Sequence, residues 1–137
     1  MEKILKNLKA NLLRWGPVLV WMGVIYFFSS RPDLPHIEEV WLEMLLRKGA
    51  HALVYAILGA LLARAIQRDG WRGVALAAAM GVLYAISDEW HQTFVPGRKG
   101  NVWDVLLDSA AALAGAYVWF RLRSGFLTAE ARRTQRQ

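Results

Sequence analysis

Residues 49–63 read GAHALVYAILGALLA, an apolar run bounded by Arg47 and Lys48 on one side and by Arg64 on the other. It is apolar on every helical face, the pattern of a helix surrounded by lipid or by other helices. Three further runs share this character: 16–30, 73–87 and 102–120, the last with two Asp inside it. The runs at 16–30, 49–63 and 73–87 hold 15 residues each, short of the roughly 20 that a bilayer needs. Flanking polar residues extend each helix, and Trp or Tyr near several ends supplies an aromatic belt. The sequence therefore predicts an all-α protein: an integral membrane four-helix bundle.

Composition agrees. The 137 residues suit a single domain, which we place at 1–127, followed by a basic, disordered tail at 128–137. Hydrophobic residues make up 55% of the chain and charged residues 20%, too apolar a balance for most water-soluble domains of this length. The net charge of +6 needs no nucleic acid to explain it, because cytoplasmic loops of membrane proteins collect Lys and Arg. With no Cys, disulfides and thiolate-bound metals are excluded. The first apolar run lacks a small-residue cleavage site, so no cleavable signal peptide is expected.

Basic residues set the expected topology. Twelve of the 17 lie in the N-terminal segment (Lys3, Lys6, Lys9, Arg14), the second loop (Arg64, Arg68, Arg72) and the C-terminal segment (Arg121, Arg123, Arg132, Arg133, Arg136). The first and third loops hold Arg31, Arg47, Lys48, Arg98 and Lys99. The bias places both termini in the cytoplasm of a multi-pass cell-membrane protein and the other two loops outside. Short interfacial amphipathic helices are expected at 35–46, where Ile37, Val40, Trp41, Met44 and Leu45 oppose Glu38, Glu39 and Glu43, and in the N-terminal segment, where Ile4, Leu5, Leu8 and Leu12 oppose the lysines.

Polar chemistry concentrates at the outer ends. Lys48, His51 and Tyr55 fall at i, i+3 and i+7, one face of the second span, with Gly59 continuing it. The third span ends in Ser87, Asp88, Glu89 and Gln92, and the fourth opens with Asp104 and Asp108 one turn apart. Ser29, Ser30 and Arg31 close the first span at the same level. A charge at the centre of a spanning helix costs on the order of 2.5–3.5 kcal/mol, less near the interface, so such residues are retained where they pair or function. The cheapest arrangement matches Asp88, Glu89, Asp104 and Asp108 with Lys48, Arg31, Arg98 and His51. A network of this kind either fixes helix register or forms an acid/base or anion site around a titratable His.

Single residues carry different weights. His51 is read as functional, whereas His36 and His91 are read as interfacial surface residues. Arg31 and Arg98 sit beside Pro or Gly turns, where their forked donors either grip a phosphate or carboxylate or snorkel to headgroups. Ser29 and Ser30 are read as helix-terminating. No HExxH-type spacing supports a metal site, and no cofactor is indicated.

These residues resemble a known family. The stretches FSSRPDLP, RKGAHALVYAILG and YAISDEWHQTFVPGRKGNVWDVLLD, spanning residues 28 to about 115, are similar in content, order and spacing to the VanZ-like family, with DExxQxFxPxR followed by Asp104 the most specific part. The resemblance implies a small multi-helix membrane protein of the cell envelope, in a family whose name-giving members are associated with low-level resistance to the glycopeptide teicoplanin. Its matching positions are Ser30, Arg31, Pro32, Lys48, His51, Tyr55, Asp88, Glu89, Gln92, Pro96, Arg98 and Asp104. This chain departs at Asp108, where the family often has Asn, and at Ala111, where Gly is common.

The expectation is an outer-face pocket for membrane lipid, either an anionic lipid or a lipid-linked cell-wall precursor. In a catalytic version, His51, Asp88, Glu89 and Asp104 do the chemistry. Ser30, Arg31, Lys48, Tyr55, Gln92 and Arg98 bind the anion, with Asp108 secondary. A structural ion network and a small transporter are the alternatives. Substrate and oligomeric state stay open.

Overall fold

The computed structural model describes residues 1–31, 40–98 and 100–134. Four helices follow one another: α1 (Glu2–Ser29), α2 (Val40–Ile66), α3 (Trp71–Gln92) and α4 (Val102–Thr134). No strand occurs among the described residues. Each helix outruns the apolar run that predicted it. At 1.5 Å per residue, α1 is about 42 Å long and α4 about 50 Å, against a hydrocarbon core of about 30 Å.

Among the described residues three stretches are long and apolar enough to cross a membrane: Glu2–Ser29, Leu45–Ile66 and Val102–Phe126. The less apolar α3 buries small residues, Gly73, Ala77, Gly81 and Ala85, and its last turns bury Asp88, Glu89 and Gln92.

Three sequence expectations need correction. The described part of the 35–46 segment, from Val40 onward, is the first two turns of α2 and no separate helix; the expectations for Pro32, Pro35, His36, Ile37, Glu38 and Glu39 lie outside the described residues. The N-terminal amphipathic segment likewise runs unbroken into α1 through Pro17. Proline removes one helical donor, and the helical turns on both sides hold the axis. Finally, α4 continues to Thr134, so residues 128–134 are helical where a disordered tail was expected. Ala129, Glu130, Ala131, Arg132 and Arg133 are strong helix formers.

α2 packs most extensively on α4, and α3 next most on α4. The reason is side-chain size. A Cβ on Gly59 would meet the Ala112 carbonyl, and one on Gly115 would meet the Ala56 carbonyl, so two glycines let the α2 and α4 backbones touch. Gly81 of α3 faces the Ala112 methyl in the same layer. Small residues at such crossings are how helices associate where lipid supplies no hydrophobic drive. Larger side chains point outward: Leu19, Val20, Leu53, Leu83 and Val118 are all exposed, as a lipid-facing surface requires. α1 sits to the side, anchored where Trp21 Nε1 donates to the Val54 carbonyl (2.8 Å) and Tyr84 Oη to the Met22 carbonyl (2.6 Å).

The helices alternate in direction, so the ends sort by chemistry. The C-terminal ends of α1 and α3 meet the N-terminal ends of α2 and α4 through Ser29–Gln92, His51–Asp108 and Lys48–Asp104. The opposite end carries both termini and the second loop, where Arg123 pairs with Asp69 at 3.5 Å. Most basic residues therefore lie at one end of the bundle and Asp88, Glu89, Asp104 and Asp108 at the other.

Candidate functional site

Packing at Gly59 and Ala112 fixes what happens two turns toward the polar end. His51 comes opposite Asp108, with Nδ1 3.2 Å from Oδ2, and Lys48 comes opposite Asp104, with Nζ 3.2 Å from Oδ1. Asp108 is fully buried, while the His51 side chain keeps 29% of its surface exposed. The Lys48 and Asp104 side chains are 46% and 32% exposed, so that pair marks the rim and contributes roughly 0–1 kcal/mol.

A second chain of contacts runs through α2, α3 and α1. The fully buried Tyr55 donates to Asp88 Oδ2 at 3.3 Å. Gln92, one turn beyond Asp88, donates through Nε2 to the same oxygen (3.2 Å) and to Ser29 Oγ (2.9 Å). Arg98 Nη1 donates to the Ser29 carbonyl at 3.1 Å. Thus the end of α1 is tied to α3 and to the turn at Pro96 and Gly97, where Gly97 adopts φ 80°, a conformation glycine takes without strain. Glu89 accepts the Asn101 backbone N–H at 2.8 Å and fixes the start of α4.

Each site residue predicted from sequence has a definite place. Lys48, His51, Tyr55, Asp88, Gln92, Asp104 and Asp108 join the two contact chains, and Glu89 and Arg98 hold the connecting loop. The pairing differs from the arrangement expected from charge matching. Arg98 bonds a neutral carbonyl, and Arg31 lies over the Phe27 ring, its Cζ 4.5 Å from the centroid. Among the described residues neither guanidinium is paired with a carboxylate. Burial lowers the Arg98 pKa from its usual value; the Arg47 charge adds to that push, and Asp88 and Glu89 oppose it. Ser30 Oγ bonds the Tyr26 carbonyl (2.7 Å) and shares a hydrogen bond with His91 Nε2 (3.0 Å).

Sequence reasoning undervalued three residues. Ser29, read as a helix end, is buried and receives Gln92. His91, read as a surface residue, stacks on Tyr26 with ring centroids 4.5 Å apart. Tyr84 clamps α1 and lies 6.2 Å from Tyr55. No spacing rule announces them, since each depends on which faces of α1 and α3 meet.

Two acceptors stand out. Asp88 Oδ1 and Asp108 Oδ1 are buried without a hydrogen-bond partner, a condition that costs about 1–3 kcal/mol per group. Among the described residues no group of three or more His, Cys, Asp or Glu is placed to hold a metal. The arrangement can bind an anion at Arg98 and Lys48, pass a proton at His51, and accept donors at two carboxyls.

Residues 14–123 match the sequence family described as VanZ/LLP1. No curated protein and no solved structure shows significant similarity to the chain.

Proposed function

The chain belongs to the VanZ/LLP1 family, and from that premise we propose that this multi-pass membrane protein binds, at its polar end, the anionic headgroup of a lipid or of a lipid-linked cell-wall precursor. The observation that carries the reading is Arg98: a half-buried cation whose hydrogen bond goes to a neutral carbonyl, with His51 within electrostatic reach. A forked guanidinium held this way is preorganised for phosphate. The tails of such a ligand stay in lipid against the exposed apolar faces.

The positive-inside bias places both termini in the cytoplasm of a cell-envelope membrane and the polar end outside. Binding a precursor there offers a physical route to reduced glycopeptide access, such as that of teicoplanin. A catalytic version of the same site is favoured by one feature. Asp108 holds Nδ1 of His51, which leaves Nε2 for proton transfer, as in a carboxylate-oriented general base.

The test is mass spectrometry of the purified protein from gently solubilised membranes. A co-purifying anionic lipid, lost in Arg98→Ala while the variant stays folded, supports the binding reading; absence of any bound lipid in the wild type defeats it. Conversion of that lipid during incubation, abolished in His51→Ala, selects the catalytic version.

A further inference from the structure

Between α1 and α3, on the flank away from Lys48 and Asp104, lies a groove of about 290 Å³ lined by Tyr26, Tyr84, Ser87, Asp88, Trp90, His91 and Phe94. Its walls are aromatic, and three of them, Tyr26, Trp90 and Phe94, are more than half exposed at the surface. Trp90 and Phe94 brace each other edge to face at 5.6 Å, and Tyr26 stacks on His91 at 4.5 Å.

Polar groups along the groove are mostly spent. Tyr84 Oη donates to the Met22 carbonyl, Ser87 Oγ to the Tyr84 carbonyl, and His91 Nε2 is engaged with Ser30. What remains is an acceptor. Asp88 is 4% exposed, its Oδ2 is held by Tyr55 and Gln92, and its Oδ1 has no partner. Lys48 contacts Asp104, His51 contacts Asp108 and Arg98 donates to the Ser29 carbonyl, so none of these three donates to Asp88 Oδ1.

Ring faces carry negative potential and attract cations, most strongly when the cation is also desolvated. A carboxyl with an open acceptor behind such rings suits a group that brings both a positive charge and N–H donors. The exposed rings of Tyr26, Trp90 and Phe94 beside the groove are apolar surface against which the tail of a lipid can lie. We infer that the α1/α3 groove binds the primary ammonium of an aminophospholipid headgroup of the phosphatidylethanolamine type, with Asp88 accepting from the ammonium and Tyr26, Tyr84, Trp90 and Phe94 around it.

This inference rests on the headgroup reading for the lipid as occupant and adds the positive end of that headgroup. An ammonium at Asp88 and a phosphate toward Arg98 are opposite ends of one zwitterion, and Gln92 lies between them in the hydrogen-bond chain. A quaternary ammonium satisfies the rings and offers Asp88 no N–H. An N-acylated amine offers neither charge nor the compact donor set.

The experiment titrates the full chain in detergent with short-chain phosphatidylethanolamine, its N-acetyl derivative, phosphatidylcholine and phosphatidylglycerol of equal chain length, read by tryptophan fluorescence. The wild type is expected to bind phosphatidylethanolamine about five-fold more tightly than the N-acetyl form, from roughly 1 kcal/mol of charge recognition. Asp88→Asn should bring the two to parity. Phe94→Ala, at the exposed rim, should weaken phosphatidylethanolamine binding without unfolding the bundle.

Equal wild-type affinity for all four lipids overturns the inference and needs no variant. A preference that survives in folded Asp88→Asn overturns it as well. Loss of phosphatidylglycerol binding in Arg98→Ala tests the anion reading separately, so the two can fail independently.

Discussion

Asp108 is fully buried in α4, and its Oδ2 lies 3.2 Å from Nδ1 of His51 in α2. The contact joins the two helices that pack most closely, on the polar side of the crossing where Gly59 and Gly115 bring their backbones together.

Removing that carboxyl leaves His51 without its partner. Asp108→Ala is expected to destabilise the bundle by about 1–3 kcal/mol, less than the 3–5 kcal/mol typical of breaking a fully buried pair, because His51 keeps some contact with its surroundings. Asp108→Asn preserves shape and a hydrogen bond to the imidazole, so it should cost less than half as much. Thermal unfolding in detergent followed by size-exclusion fluorescence compares them. Equal melting for the wild type and Asp108→Ala would show that the pair contributes nothing.

The glycine crossing makes a sharper demand. Gly59→Val and Gly115→Val each insert a side chain into the partner's backbone, and overpacking of this kind costs about 1–3 kcal/mol or more. Gly23→Ala meets nothing within 4 Å and should be neutral or stabilising by about 0.5–1 kcal/mol, the helix-propensity gain. If all three variants melt alike, the α2–α4 contact is misplaced.

Two side-chain bonds fasten the middle of α1 to its neighbours. Trp21→Phe and Tyr84→Phe each lose one donor to a backbone carbonyl on another helix. Hydrogen bonds between membrane helices average about 0.6 kcal/mol, so each variant should lower the melting temperature slightly. Hydrogen exchange should rise first in α1, which loses a tether in each variant. Unchanged exchange in both variants would argue that these two bonds do not hold α1.

Much of this was legible in the sequence, for identifiable reasons. The four helices announce themselves because long apolar runs separated by charges have few other structures to adopt. Lys48, His51 and Tyr55 could be placed on one face because the 3.6-residue period is local. The continuity of α1 through Pro17 and of α4 to Thr134 was not legible, since composition marks where a helix leaves the apolar layer and not where it ends. The partners of Arg31 and Arg98 were missed because charge matching pairs acids with bases, whereas the fold gives one guanidinium a ring and the other a carbonyl. Ser29, Tyr84 and His91 gain their roles only from the way α1 leans on α3.

Topology can be read on a chain without native cysteine. Single cysteines introduced at the exposed positions Pro96 and Arg68 should react oppositely with a membrane-impermeant maleimide. Pro96→Cys should label in intact cells, and Arg68→Cys only after permeabilisation. The reverse pattern would turn the protein over and place the polar end inside.

The central claim is that side chains from separate helices converge at one end of the bundle to hold a lipid headgroup. Its most direct measurement is a titration of isotope-labelled protein in detergent with short-chain phosphatidylglycerol, followed by amide and side-chain NMR shifts. The account predicts shifts that saturate together at Lys48, His51, Gln92, Arg98 and Asp104. Shifts confined to the basic residues at 3–14 and 121–133, or none at the polar end, would contradict it.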